Sequence, residues 1–325
     1  MVDAAKVMAV DVGVTNVKVG LVTREAQIEH FSSRSTPMEQ GASGMAGALV
    51  EACREVLDEA GLSTGELTAV GCCVPGVVNP LDGVIVASAT PGWEGMDVRS
   101  PLEASFGRPV TIEGDGAAAT LAAYRFGPTA TRGQDNLLGI SIGTGISCGL
   151  ISGGQLLRGA GHAALEAGHM PLFNPGQPCS CGRRGCWEAH AGGGALRKRL
   201  AEYRQAGHKL PALPEELAEL AMANEETSLE IWEEQGQILG QGIAVLLNVL
   251  NPRSVVLGGG YCKSWSLFKR ALLRSARQRA LTRNSEAAIL CAPNPSRLPM
   301  LGAALAAVQA QGPVEFFVDD GESAP

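Results

Sequence analysis

The sequence predicts an α/β protein with enough chain for two domains, on three observations. Apolar runs of strand length alternate with segments of helical periodicity along most of the chain. Gly is abundant, at 42 residues, without a short repeat, which points to many tight turns and to loops that approach a ligand closely. At 325 residues the chain can build one large domain or two ordinary ones, each with its own core.

The elements follow in order. KVMAVDVG reads as a buried strand reaching a turn at Gly13, and VKVGLVT follows closely enough to pair with it as a hairpin. Met45 to Ala60 has helical periodicity and stops at Gly61, a natural residue for the position just past a helix end. LTAVGCCVPG is a further strand ending in a Pro-Gly turn, and PVTIEGDG is another, leading into the Ala-rich helix AAATLAAYRFG. NLLGISIGTGISCGLISGG reads as two strands around a glycine turn. The second half is more helical, with a long helix starting near Ser228 and terminated by Asn251-Pro252. SVVLGGG gives a strand and a glycine turn, LGAALAAVQA a last helix, and the acidic tail FFVDDGESAP is expected to fray. No low-complexity linker is present, so the domain boundary is a crossing of the chain, placed near Phe126.

Composition excludes several classes. Charged residues make up 18% of the chain and the net charge is −7, a balance that argues against nucleic-acid or membrane-surface partners. Asp11 interrupts the apolar run near the N-terminus, nothing there resembles a signal peptide, and no stretch is apolar enough to span a membrane. The chain is therefore expected to be soluble and cytoplasmic. Nine cysteines, an odd number, fit a reduced compartment better than a disulfide framework.

The densest chemistry lies in EAGH, ending at His169, and CSCGRRGCWE, from Cys179 to Glu188. Together they give H-x9-C-x-C-x4-C through His169, Cys179, Cys181 and Cys186. Three cysteines and a histidine are a standard closed tetrahedral set for Zn2+, and with every position filled by protein such a metal is structural. The alternative is a loop of free thiols with the histidine satisfied elsewhere. A C-x-x-C pair is absent, which weakens a disulfide-exchange reading. Glu166 and Glu188 flank the ligand set. Most such carboxylates are solvated loop charges. Held by a metal, the same two could face one pocket and accept hydroxyls from a polyol such as a sugar.

Two glycine turns have the composition of phosphate cradles. DVGVTN, Asp11 to Asn16, lies between strands, where backbone amides form an anion nest and Thr15 can donate. Asp11 could hold Mg2+ through water. GTGIS, Gly143 to Ser147, is the second; a strand follows it rather than a helix, so a dinucleotide-binding fingerprint is rejected. A third turn, Gly258 to Gly260, could let the backbone approach a base or ribose. Asp115, between glycines at a strand-to-helix junction, is either a helix N-cap or a general base for an attacking hydroxyl.

With these residues in view, the chain resembles the ROK family of sugar kinases and sugar-responsive repressors, within the actin-like ATPase and hexokinase superfamily. The resemblance is carried by DVGVTN, CCVPGVV, EGDGAAA, GISIGTGIS, EAGH with CSCGRRGCWE, and VVLGGG with LGAALAA. It implies a two-lobed actin-like (ribonuclease H-like) α/β fold whose lobes close over a cleft. The lobes are expected over 1–126 and 127–298, with the zinc loop 166–188 in the second and a helix of about 299–312 packing back on the first. The resemblance implies that Asp115 is the catalytic base and that Gly76, Gly114, Asp115, Glu166, His169 and Glu188 surround the sugar. Asp11, Gly13, Thr15, Asn16, Gly143, Thr144 and Gly145 would serve the phosphates, and Gly258 and Gly259 the adenosine. The partners implied are ATP with Mg2+, a small sugar and a second copy of the chain, as a homodimer or higher oligomer.

Departures from the family pattern are Gly114 and Ala89 where Asn is frequent, Val14 and Ser147 for Gly, and Asn16 for Lys. Loss of one compensated hydrogen bond to a sugar hydroxyl costs about 0.5–1.5 kcal/mol. That is enough to shift a preference among hexoses without abolishing phosphoryl transfer. The expected function is an ATP-dependent kinase acting on a hexose or hexose derivative. The alternatives are a sugar-binding protein with impaired catalysis and a transcriptional repressor. The repressor is disfavoured because Asp11 arrives too early for a preceding helix-turn-helix domain.

Overall fold

The computed structural model describes residues 6–38, 41–130, 135–312 and Phe317. The acidic tail read above as frayed lies outside the described residues, Phe317 excepted. The chain divides into two compact units. One comprises Met1–Ala122, Arg158–Ala163 and Arg297–Pro325, the other Ala123–Leu157 and Ala164–Ser296. The division falls ahead of Phe126, and the short segment Arg158–Ala163 belongs with the first unit.

The first unit opens with β1 (Lys6–Val12), β2 (Asn16–Val22), β3 (Ile28–Ser35), α1 (Gly41–Ala60) and β4 (Leu67–Val74). The small hairpin β5 (Val77–Asn79) and β6 (Val84–Ala87) follows, then α2 (Arg99–Phe106), β7 (Val110–Gly114) and α3 (Asp115–Phe126). The main sheet has the order β3-β2-β1-β4-β7, antiparallel from β3 to β1 and parallel from β1 to β7. β1 and β4 are almost wholly buried, as strands covered on both faces must be. α1 buries Met45, Leu49, Ala52, Cys53, Val56 and Leu57, a single face at helical spacing, and packs on β2, β3 and α2. It stops at Gly61, whose φ of +66° suits glycine.

The second unit repeats the arrangement. It contains β8 (Asn136–Ile142), β9 (Ile146–Ser152), β10 (Gln155–Leu156), α4 (Glu188–Ala191), α5 (Gly193–Gln205), α6 (Pro214–Met222) and α7 (Glu226–Leu250). β11 (Ser254–Gly258), α8 (Trp265–Arg279) and β12 (Ala288–Cys291) complete it. Its sheet runs β10-β9-β8-β11-β12, again a meander followed by parallel strands. α7 begins ahead of Ser228 because the Glu225 carboxylate caps it, accepting from the backbone N–H of Thr227 and Ser228 at 3.2 and 2.7 Å. Asn251 in the left-handed region, φ 46°, ends it before Pro252.

α9 (Leu298–Gln309) belongs to the first unit and packs on β4 and β1. It is buried from Leu298 to Val308, so its Ala-rich composition serves close packing on every side. A Cβ on Gly302 would lie 1.7 Å from the Ala118 carbonyl oxygen of α3, and one on Gly71 of β4 2.1 Å from that of Ala303.

One packing feature bears on the cysteine loop. Trp187, fully buried, lies over Gly242 of α7 and donates its indole N–H to the Ile238 carbonyl at 3.2 Å. A Cβ at Gly242 would come 2.1 Å from the indole ring. Gly242→Ala is expected to destabilise the protein by about 3 kcal/mol, the upper end for an overpacked core. The check is a lower denaturant midpoint at unchanged slope. An unchanged midpoint would show that the indole can move aside without cost. Among the described residues no helix is long and apolar enough to cross a membrane.

Candidate active site

In the first unit the parallel strands β1, β4 and β7 finish at one sheet edge, where ligands of open α/β sheets bind. Asp11 lies near the end of β1, Cys73 beside it on β4, and Asp115 directly after β7. The turn between β1 and β2 is closed by Gly13 N–H to the Asn16 carbonyl at 2.9 Å. Thr36 braces it, its N–H donating to the Thr15 carbonyl at 3.0 Å and its hydroxyl to the Gly13 carbonyl at 2.6 Å. Val14, Thr15 and Asn16 are exposed, so of the loop residues read from the sequence Thr15 and Asn16 reach solvent, while Gly13 is half-buried and Asp11 is buried.

Asp11 is buried, and its Oδ2 accepts from Lys18 Nζ at 2.7 Å. Burial alone would lower the Lys18 pKa, but the Asp11 carboxylate outweighs it and leaves the ammonium above its ordinary value. Asp115 is the first residue of α3, and its Oδ1 accepts from Gly116 N–H at 2.7 Å. Its carboxylate therefore sits at a helix N-terminus, where negative charge is favoured. A Cβ on Gly114 would meet only the Gly76 carbonyl oxygen, at 3.5 Å, so there is open space beside Asp115. Gly76 itself has φ +105° and no room for a Cβ, which would lie 2.5 Å from the Ala87 carbonyl oxygen. The neighbour of Gly114 on the other side, Glu113, is ion-paired to Arg158 at 2.6 Å, fastening the segment 158–163 to β7. Nothing in the sequence pointed to that pair.

The second unit gathers the cysteine motif. His169 closes a short turn after Glu166, and the loop from Cys179 to Cys186 is folded by Cys179 N–H to the Arg183 carbonyl at 2.8 Å. Gly182 and Gly185 take φ of +82° and +80° there, conformations that glycine adopts freely. His190 supports the loop, stacking on Phe173 at 4.0 Å and accepting from Gln177 N–H at 3.0 Å. His169 Nδ1 lies 3.6 Å from Cys179 Sγ, and Cys181 Sγ lies 3.6 Å from Cys186 Sγ. All four donor atoms fall within 4.8 Å of one another. Bonds of about 2.0–2.3 Å to one tetrahedral ion would space its ligands close to these distances, so the donor set fits a metal.

His169 Nδ1 faces the thiols, and Nε2 lies 4.0 Å from Glu166 Oε2. The Glu166 side chain is half exposed, yet desolvation by the surrounding protein raises its pKa, with His169 opposing and Glu188 reinforcing the shift. Glu188, the first residue of α4, spans two features. Its Oε1 is 3.3 Å from Cys179 Sγ and 3.6 Å from His169 Nδ1, and its Oε2 accepts from Ile146 N–H at 3.2 Å. That amide belongs to the residue after Gly145, so the His169/cysteine cluster and the second glycine turn share a carboxylate.

Gly143 N–H donates to the Gly145 carbonyl at 3.0 Å, closing the turn, with Gly143 and Thr144 exposed. A Cβ on Gly145 would lie 2.5 Å from Glu188 Oε2. Sequence reading missed the run Gly192–Gly193–Gly194. At the start of α5, Gly193 and Gly194 donate to the Gly143 and Thr144 carbonyls, both at 2.8 Å. Three consecutive glycines shortly after Glu188 were the available signal. Gly259 abuts the strand that leads into the turn: a Cβ there would be 2.2 Å from the Ile142 carbonyl oxygen. The second unit thus brings Gly143–Gly145, Gly259, Glu188, His169 and Glu166 into one connected neighbourhood.

A family model described as the ROK family matches residues 7–310. The glucokinase of Thermotoga maritima is 30% identical over 270 residues, covering 80% of this chain and 83% of that protein. The xylose repressor of Bacillus subtilis is also 30% identical, over 79% of this chain but 65% of its own length. A solved ROK family glucokinase from Streptomyces griseus, in complex with glucose and AMPPNP, superposes with a TM-score of 0.84 at 27% identity. The superposition covers 94% of this chain and 99% of that one, and the two share an actin-like ATPase fold.

Proposed function

The chain belongs to the ROK family, and from that premise we propose that it is an ATP-dependent kinase of a hexose or hexose derivative, working in the cytoplasm as a homo-oligomer. The observation that carries the reading is Glu188, whose two oxygens join the His169/cysteine cluster to the Gly143–Gly145 turn. A carboxylate shared in that way suits a site that must register a polyol against a phosphate chain. The glucokinase relatives support the same reading.

In this mechanism Glu166 and Glu188 accept from sugar hydroxyls, His169, with Nδ1 turned to the thiols, donates its Nε2–H to a hydroxyl oxygen, and Gly114 leaves room for the ring beside Gly76. Asp11 would hold the Mg2+ of Mg-ATP, which would offset phosphate charge, while the turns at Gly13–Asn16 and Gly143–Gly145 cradle phosphates and Gly258 and Gly259 meet the adenosine. Asp115 receives the proton of the attacking hydroxyl as its oxygen bonds the γ-phosphorus and the bond to the β-phosphate oxygen breaks, releasing ADP. His169, Cys179, Cys181 and Cys186 would hold Zn2+, which supplies rigidity; a fully protein-ligated ion activates no water.

The test is ADP release from Mg-ATP across hexoses, N-acetylhexosamines and ketohexoses, with Asp115→Asn as the blank. Turnover with one of these sugars supports the kinase. The repressor relative favours a second reading, in which the chain binds sugar without phosphorylating it. Calorimetric sugar binding without ADP release would select that reading.

A further inference from the structure

Glu166 follows a residue whose backbone its type rarely adopts: Leu165 has a φ of +66°. We propose that Leu165 is the positioning residue for Glu166, its side chain held in the core so that the left-handed backbone aims the carboxylate out of the loop. The inference rests on the reading of Glu166 as a ligand for the sugar.

The left-handed region favours glycine, and histidine and asparagine enter it more readily than bulky apolar residues do. Among the described residues other than glycine, it holds Leu165, two histidines, two asparagines and an alanine. Leu165 is thus the one large apolar side chain there, with no polar atom to offset the conformation locally. Such a backbone persists only where its surroundings fix it. They do so from both sides of Glu166. The Leu165 side chain packs against the hydrophobic core of the second unit, and Ala167 is buried in that same core. Gly168 abuts Ile146: a Cβ there would lie 2.2 Å from the Ile146 carbonyl oxygen. Two turn bonds close the segment, His169 N–H to the Glu166 carbonyl at 3.0 Å and Met170 N–H to the Ala167 carbonyl at 3.1 Å. Glu166 itself, at φ −67° and ψ 44°, lies outside the helical and extended regions, and it stays exposed between its two anchored neighbours.

Packing alone does not call for a leucine in this conformation. Glycine would take the same backbone without steric cost. It would also leave it freely, because nothing would tie the residue to the core and glycine has the most alternative conformations to return to. The leucine exchanges that freedom for a fixed direction of the next side chain. That direction matters to the site, because Ile146 is the shared reference for both carboxylates. Its carbonyl abuts Gly168, and its N–H donates to Glu188 Oε2 at 3.2 Å. With the turn docked there, Glu166 Oε2 lies 4.0 Å from His169 Nε2, and Glu188 Oε1 lies 3.6 Å from His169 Nδ1. A Glu166 free to swing would lose that arrangement while Glu188 kept its own.

The experiment is a double-variant cycle on sugar affinity, measured by calorimetry for the unsubstituted protein, Leu165→Gly, Leu165→Met, Glu166→Gln and Leu165→Gly/Glu166→Gln. The probe is whichever of D-glucose, D-mannose, N-acetyl-D-glucosamine and D-fructose binds the unsubstituted protein most tightly. ADP affinity and thermal midpoint serve as controls. Leu165→Gly is expected to weaken sugar binding about tenfold, as loss of a well-directed charged hydrogen bond does, and to leave ADP affinity within about twofold. Leu165→Met keeps the apolar volume and should stay within about threefold of the unsubstituted protein. In the Glu166→Gln background, Leu165→Gly should cost less than about twofold further, because the charge it positions is already gone. A further loss of about tenfold there would mean that Leu165 shapes the site by another route, and would overturn the proposal. A lowered midpoint with unchanged sugar affinity would make Leu165 a packing residue only and also overturn it. Unchanged sugar affinity in Glu166→Gln would remove Glu166 from the sugar site, and the inference with it. Sugar binding without ADP release from Mg-ATP overturns the kinase reading and leaves the cycle intact. Failure of the unsubstituted protein to bind any of the four sugars overturns both.

Discussion

Asp115→Asn is expected to lower turnover by about 10²–10⁴-fold, the range for loss of a positioned general base. The substitution keeps shape and removes the negative charge and, with it, the capacity to take a proton. Asn Oδ1 can still accept from Gly116 N–H, the bond that Asp115 makes at 2.7 Å, so α3 retains its first-turn partner. Loss of the negative charge at that helix N-terminus costs about 0.3–1 kcal/mol, small beside the catalytic effect. Sugar and nucleotide affinities should change by less than about threefold, and metal content not at all. The neighbouring Glu113–Arg158 pair keeps the end of β7 fastened in both proteins. Steady-state ADP release, with thermal midpoint and metal content measured on the same preparations, checks the set. Turnover close to that of the unsubstituted protein would remove Asp115 from the proton transfer.

How far the sequence could be read depended on the distance over which each feature is decided. The cysteine motif is local: its four candidate donors lie between His169 and Cys186, and two glycines fold the loop that brings them together. Both glycine turns, Gly13–Asn16 and Gly143–Gly145, are likewise hairpin turns. α1 and α7 were legible from apolar spacing and from their stops at Gly61 and Asn251. α7 starts ahead of the expected Ser228 because the Glu225 side chain caps it, accepting from the Thr227 and Ser228 amides. β3 was missed because it carries IEHFSSRS, a mostly polar edge strand without alternation, and β12 because it is four residues long. Glu113 and Arg158 are joined across a large separation that no local pattern encodes. Lys18 is a different case. A turn closed by Gly13 and Asn16 fixes the hairpin register, and register alone sets Lys18 opposite Asp11. That residue was within reach of the sequence once the turn had been recognised.

Stripping the metal, or replacing Cys186 by Ser, is expected to weaken sugar binding about 10–100-fold, the range for disturbing groups around a metal site. Each group proposed to face the sugar depends on the cluster for its place. His169 carries Glu166 within 4.0 Å of its free ring nitrogen, and Glu188 follows Cys186 and Trp187 at the start of α4. Three closely spaced thiols and a histidine without an ion have no reason to keep the spacing that one tetrahedral centre imposes. Nucleotide binding should fall less, by roughly threefold, because Glu188 supplies only one of the hydrogen bonds that hold the turn, and the net worth of such a bond starts at about 0.5 kcal/mol. That fall should not be zero. Glu188 Oε2 accepts from Ile146 N–H at 3.2 Å, so a displaced Glu188 releases one support of the Gly143–Gly145 turn. The Gly193 and Gly194 amides, both at 2.8 Å from the turn's carbonyls, remain to hold it. Calorimetry of sugar and of ADP on metal-loaded and metal-stripped protein separates the two effects. Equal losses for both ligands would mean that the ion supports only the fold, and an unchanged sugar affinity would detach the cluster from the sugar site altogether.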